Sequence, residues 1–169
     1  LTVCRSGRQS TAVRQTLEVP GGEKKARGSV IDIDVHESFR SVKDLVPYLA
    51  EPYKSRVAVP DGWTPPAFPY AYPMSNGVAM AEAVTDDGSP AGSNYEQMRE
   101  QLLDAYDIEH AILTGAFYPG DMTVQPGLAS ALAAAYNDWL IENWLSRDER
   151  FLGSVCVGLQ DPEADAREI

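Results

Sequence analysis

The sequence predicts an α/β fold built on a parallel sheet. Two observations carry this. Short apolar, β-branched runs alternate with amphipathic helical stretches, in the order strand, helix, strand, helix, strand, helix start. Repeated strand–helix–strand order of this kind demands a parallel sheet. In addition, residues 29–35 are almost continuously apolar apart from two aspartates, the pattern of a strand covered on both faces. The chain has 169 residues, enough for one domain with a real core. No internal repeat or low-complexity tract is visible.

Residues 1–28 are read as a disordered basic leader. They hold Arg5, Arg8, Arg14, Lys24, Lys25 and Arg27 against Glu18 and Glu23, with Pro20-Gly21-Gly22 and little hydrophobic periodicity. Folded character begins at Ser29, and 29–169 is read as one folded unit. A first strand spans 29–35. A short helix follows at 41–50, with Ser41 and Asp44 as a capping box and Val42, Leu45, Val46 and Leu49 as its apolar stripe. Pro47 limits its regularity.

Residues 51–92 form a long loop broken by prolines and interleaved with Trp63, Phe68, Tyr70 and Tyr72. Its aromatics suit an ordered lid or pocket wall. Proline-rich recognition by another protein is the competing reading. A helix at 94–107 starts from a Ser93/Glu96 capping box and carries Met98, Leu102 and Tyr106 on one stripe.

The second strand is expected at 111–117. The longest helix is expected at 127–147, with Leu128, Leu132, Tyr136, Leu140 and Trp144 at steps of four. A third strand at 151–159 follows. Asp161 then caps a last helix with Pro162 at its first position.

Composition narrows the function. The net charge is −11; the leader carries +4, so the remainder carries −15, and this acidic body argues against nucleic acid as a main partner. No apolar run reaches the ~18 residues of a membrane span. Two cysteines make no disulfide framework, so a reducing, cytoplasmic setting is expected. Gly-rich phosphate loops, GxSxG elbows and CxxC pairs are absent.

The chemistry is expected where α/β folds place it, at the carboxyl ends of the strands. The first strand ends in Asp34-Val35-His36-Glu37. Residues i and i+2 share a face, so Asp34 and His36 project together. A carboxylate oxygen beside an imidazole nitrogen is half of a metal site. The plainer alternative is a buried strand ending in polar residues. Asp32 lies deeper on the same face, either orienting a ligand or simply hydrogen-bonded. The second strand delivers Phe117 and Tyr118, and the third delivers Gln160 and Asp161. Tyr70, Tyr72, Phe117 and Tyr118 could wall a small-molecule substrate or could be loop packing. His110 falls just before the second strand, at the end that serves stability. Asn137 and Asp138 read as packing or solvent contacts.

Taken in order, these pieces resemble the amidohydrolase-related family. This group includes aminocarboxymuconate-semialdehyde decarboxylase, resorcylate decarboxylases and similar metal-dependent hydrolases. Val30-Ile-Asp-Ile-Asp-Val-His36-Glu37 is similar to the family's opening strand. Arg99–Asp104 and Ile108–Thr114 are similar to its helix and second strand. Ala135-Tyr-Asn-Asp-Trp139 and Arg150–Val155, then Leu159–Pro162, are similar to the next helix and third strand.

The resemblance implies a TIM-like (β/α)8 barrel with a divalent metal, zinc or manganese, at the carboxyl ends of its strands. Asp34 and His36 match the first-strand ligand pair. Many members have His-x-His there, where this chain has Asp-x-His. Further ligands, and an acid/base aspartate, come from later strands with no counterpart here. Such a barrel takes roughly 200–250 residues. The chain is therefore expected to form the first three βα units of a longer enzyme. That enzyme would be a hydrolase or non-oxidative carboxy-lyase acting on a small, aromatic or related carboxylic acid or carbonyl compound. The expected partners are a small-molecule substrate and, if any protein, a second copy of the chain, with no nucleic acid and no membrane. The rival expectation is a truncated, inactive α/β domain that binds a ligand or a protein partner.

Overall fold

The computed structural model of the chain describes residues 29–58, 81–115, 117, 119 and 123–169. The basic leader, most of the aromatic loop, and Tyr70, Tyr72 and Tyr118 lie outside the described residues.

Three parallel strands form one sheet in the order β1 (Val30–Val35), β2 (Ile108–Leu113) and β3 (Phe151–Gly153). After β1 comes a 3-10 helix, Val42–Tyr48. Its capping box is formed by the Ser41 hydroxyl and the Asp44 carboxylate, as the sequence predicts. A short helix, α1 (Tyr53–Ala58), follows it. Further on, α2 (Tyr95–Met98) continues into a π-helical segment, Arg99–Asp104, that leads down to β2. The long α3 (Pro126–Leu140) likewise widens into a π turn, Ile141–Leu145, before β3. Finally, α4 (Pro162–Glu168) is capped by Asp161, whose carboxylate accepts from the Ala164 N–H at 3.0 Å. Among the described residues no helix is long and apolar enough to cross a membrane.

The core lies between one face of the sheet and the helices. Val35, Ala111, Leu113 and Phe151 contribute from the strands. The predicted stripe Leu128, Leu132, Tyr136, Leu140 and Trp144 is buried along its whole length. Edge-to-face rings knit this layer together, with Phe39 5.2 Å from Phe117 and Trp144 5.7 Å from Phe151.

Several expectations are corrected. The first strand is not covered on both faces. Ile33 is 70% exposed and Ile31 54%, because the helices of the described residues pack on one side of the sheet alone. The 94–107 helix is capped by Asn94, which accepts from Gln97 N–H at 3.1 Å, and not by Ser93. Ser93 belongs to the preceding turn, where its N–H donates to the Pro90 carbonyl, and the helix enters one residue later. The second strand begins at Ile108, earlier than expected. It ends by Leu113 because Gly115 turns the chain at φ +58°. His110 therefore lies within β2, in register with Ile31, and not ahead of it.

The third strand is only three residues long. Beyond Ser154 the backbone N–H groups turn to side chains. Cys156 N donates to Asn137 Oδ1 at 2.8 Å, and Gly158 and Leu159 N donate to the Asp165 carboxylate. With those three donors taken, the ladder to β2 does not continue. Asn137 is thus a packing clamp, as its sequence position suggested, and its amide also donates to the Cys156 carbonyl.

Candidate functional site

The carboxyl ends of β1 and β2 build the site. Between Asp32 and Val35, β1 spends three steps where β2 takes two, from Ala111 to Leu113. This bulge falls at Ile33-Asp34. Bulges bend a strand and re-aim its side chains, and they recur beside functional sites. The Asp32 carboxylate accepts from Asp34 N–H at 3.2 Å, supporting the irregular backbone.

The structure brings Asp34 and His36 together as the alternation predicts. His36 Nε2 stands 3.1 Å from Asp34 Oδ1. Both side chains are open to solvent, Asp34 72% and His36 49% exposed. Thr114, at the end of β2, donates its hydroxyl to the same Asp34 oxygen at 3.0 Å. Its N–H donates to the Val35 carbonyl at 2.9 Å. Thr114 was not singled out from the sequence. A polar residue at a strand's carboxyl end was the available signal.

The next residue, Glu37, goes the other way. Its side chain is 2% exposed. One carboxylate oxygen accepts from Gly115 N–H at 3.1 Å, and the other accepts from the Tyr136 hydroxyl. Burial raises its pKa above the ordinary glutamate range, opposed by these hydrogen bonds. The sequence placed Glu37 at the strand end without showing that it turns inward.

Phe117 is buried and packs against Phe39 and Tyr136, with a centroid distance of 5.3 Å to the latter. On the helical side, a cleft of about 520 Å³ opens among Arg40, Lys43, Tyr48, Trp139 and Arg147, and it includes neither Asp34 nor His36.

The donor pair fits a divalent cation in part. Two ligands each ~2.1 Å from one ion stand roughly 3.0–3.4 Å apart in octahedral or tetrahedral geometry. The 3.1 Å separation meets that spacing. A carboxylate oxygen with an imidazole nitrogen suits zinc or manganese. Among the described residues, no group of three or more His, Cys, Asp or Glu side chains is placed to hold a metal. The pair therefore offers two donors, fewer than a complete metal site, among the described residues.

No curated protein matches the chain. Residues 31–169 match the family model described as Amidohydrolase. The match starts inside β1, covers the whole βα series and contains Asp34 and His36, so this chain belongs to the amidohydrolase family.

Proposed function

We propose that this chain supplies the opening part of a metal-dependent enzyme. The reaction is hydrolysis or non-oxidative decarboxylation of a small, aromatic or unsaturated carboxylic acid or a related carbonyl compound. The Asp34–His36 pair carries this reading: two metal-type donors 3.1 Å apart, exposed at the carboxyl end of a parallel strand. Amidohydrolase-family members generally use divalent metals, which supports it.

In this reading Asp34 and His36 hold the ion, zinc first and manganese as the alternative. When bound, a divalent ion polarises a carbonyl or carboxylate and acidifies a coordinated water. Thr114 fixes the orientation of the Asp34 carboxylate through its hydroxyl. Tyr70, Tyr72, Phe117 and Tyr118 are proposed to wall the substrate. The remaining ligands and the acid/base group come from further strands of a (β/α)8 barrel. The parallel order β1-β2-β3 and the bare sheet face bearing Ile31, Ile33 and Leu152 support that architecture. A reducing, cytoplasmic setting is our reading of the cysteine usage, and the protein partner this reading allows for is a second copy of the chain.

One observation favours the rival, an inactive binding domain: only two ligands converge among the described residues. Elemental analysis of the full-length protein separates the two. About one divalent ion per chain is expected, lost in His36→Ala. Metal content that survives His36→Ala overturns the ligand assignment. Protein that is metal-free even after zinc or manganese loading supports the inactive domain.

A further inference from the structure

We propose that Glu37 is a positioning residue for the Asp34–His36 pair, acting through Gly115 and Tyr136. The proposal rests on the metal-site reading for its binding readout, but its geometry stands independently.

A carboxylate 2% exposed in an apolar layer is a poor choice for stability alone. Replacing buried polar groups by packed apolar ones is often neutral or stabilising. Here the cost of burial comes with a specific return. Glu37 spans the gap between the end of β1, the turn after β2, and α3, taking one donor from Gly115 and one from Tyr136. The surroundings are shaped to it. Gly115 holds φ +58°, and a Cβ there would collide with the Tyr136 hydroxyl and lie 2.9 Å from Glu37 Oε1.

The neighbouring contacts complete a grip on His36. Thr114 binds the Asp34 carboxylate at 3.0 Å, and Gly115 binds Glu37 at 3.1 Å. Two consecutive residues of the β2 end thereby hold the residues on both sides of Val35-His36. On the far side, Ser38 N–H donates to the Gly92 carbonyl at 2.9 Å, and a Cβ at Gly92 would collide with the His36 carbonyl. The His36 backbone is clamped from both directions while its ring stays open to solvent. Outer partners of this kind orient ligands and commonly matter 10–100-fold in metal affinity.

The test compares the full chain with Glu37→Ala, Glu37→Gln, Tyr136→Phe and a core control, Leu103→Ala. Two readouts are used. One is the ring 15N spectrum of His36, with His110 as internal reference. The other is Co2+ titration followed by its d–d absorption. Glu37→Ala is expected to shift the His36 ring signals, leave those of His110, and weaken Co2+ binding about tenfold or more. Glu37→Gln keeps an acceptor for Gly115 N–H and is expected to restore much of both. Leu103→Ala is expected to lower the melting temperature with neither change.

If Glu37→Ala matches Leu103→Ala in the His36 spectrum, the positioning role is overturned. If Glu37→Ala does not fold, Tyr136→Phe decides, and unchanged His36 signals there overturn it equally. If the wild type takes up no Co2+, or His36→Ala takes up as much, the metal reading fails. The metal-free ring spectra then still decide the role of Glu37.

Discussion

At the amino end of β3, Arg150 donates to the Asp148 carboxylate at 2.7 Å and to Asp104 at 2.9 Å. Close by, Arg147 pairs with Glu96 and lies over the Tyr95 ring, 3.9 Å from its centroid. At the carboxyl end of β1, Asp34 and His36 stand open, with no Lys or Arg partner among the described residues. The first region uses charge to close the fold. Asp148 and Arg150 are partly buried, each ion there is matched by an opposite one, and hydrogen bonds hold Asp148 below the ordinary carboxylate range. The second leaves a carboxylate and an imidazole accessible, held in place by uncharged or buried neighbours. In parallel α/β folds the carboxyl ends serve chemistry and the amino ends serve stability. This chain divides its charged groups along that line.

The largest effect that would test this division is at the junction of the carboxyl ends. Gly115→Ala forces a Cβ onto the Tyr136 hydroxyl at a positive φ. It should cost ~3 kcal/mol or more from strain and overpacking together, read as a drop in urea midpoint. A loss near zero would mean that the turn is softer than the packing implies.

Arg150→Ala should cost about 1–3 kcal/mol, since it leaves Asp148, only 12% exposed, without its main donor. Co2+ uptake at the opposite end should not change. A variant that loses metal as well would erase the separation of the two ends.

The pH dependence sharpens the contrast. Asp148 has a lowered folded pKa, chiefly through its hydrogen bonds from Arg150. Its stabilisation is full above the ordinary aspartate value of ~3.9 and is lost as pH falls through the folded value. Glu37 has a raised folded pKa, chiefly from desolvation. Its contribution is full below the ordinary glutamate value of ~4.3 and is lost as pH rises through the folded value. Melting temperature against pH should therefore flatten on the acid side in Asp148→Asn. In Glu37→Gln it should flatten on the side above pH ~4.3. Identical profiles for the wild type and either variant would refute the corresponding assignment.

The smallest effect is expected at the exposed pair. His36→Ala should change stability by no more than ~0.5 kcal/mol, the usual range for surface positions, while abolishing metal uptake. A large stability loss would make His36 a structural residue and undo the comparison.

Legibility in the sequence followed the range of the interactions involved. The Ser41/Asp44 capping box, the Asp161-Pro162 helix start and the Leu128–Trp144 stripe depend on residues within a turn or two of each other, and all three were readable. The side-by-side placement of Asp34 and His36 was readable for the same reason, since alternation along a strand is local. The Ser93 cap moves by one residue because the amide oxygen of Asn94, as good a cap as serine, takes the Gln97 N–H. The third strand was overextended because Val155, Cys156 and Val157 have strand-like side chains, whereas Asn137 and Asp165 take their neighbourhood's backbone donors.

By itself, then, the sequence determined the order of strands and helices, the apolar face of α3 and the pairing of a carboxylate with an imidazole at the first strand's end. Only the tertiary structure decided that β1 bulges between Asp32 and Val35, that Thr114 reaches the Asp34 carboxylate, and that Glu37 turns inward to Gly115 and Tyr136. The reason is physical. Periodicity is written along the chain within a few residues, but a bulge and a buried hydrogen bond depend on which groups lie opposite, and those arrive from 78 to 99 positions away.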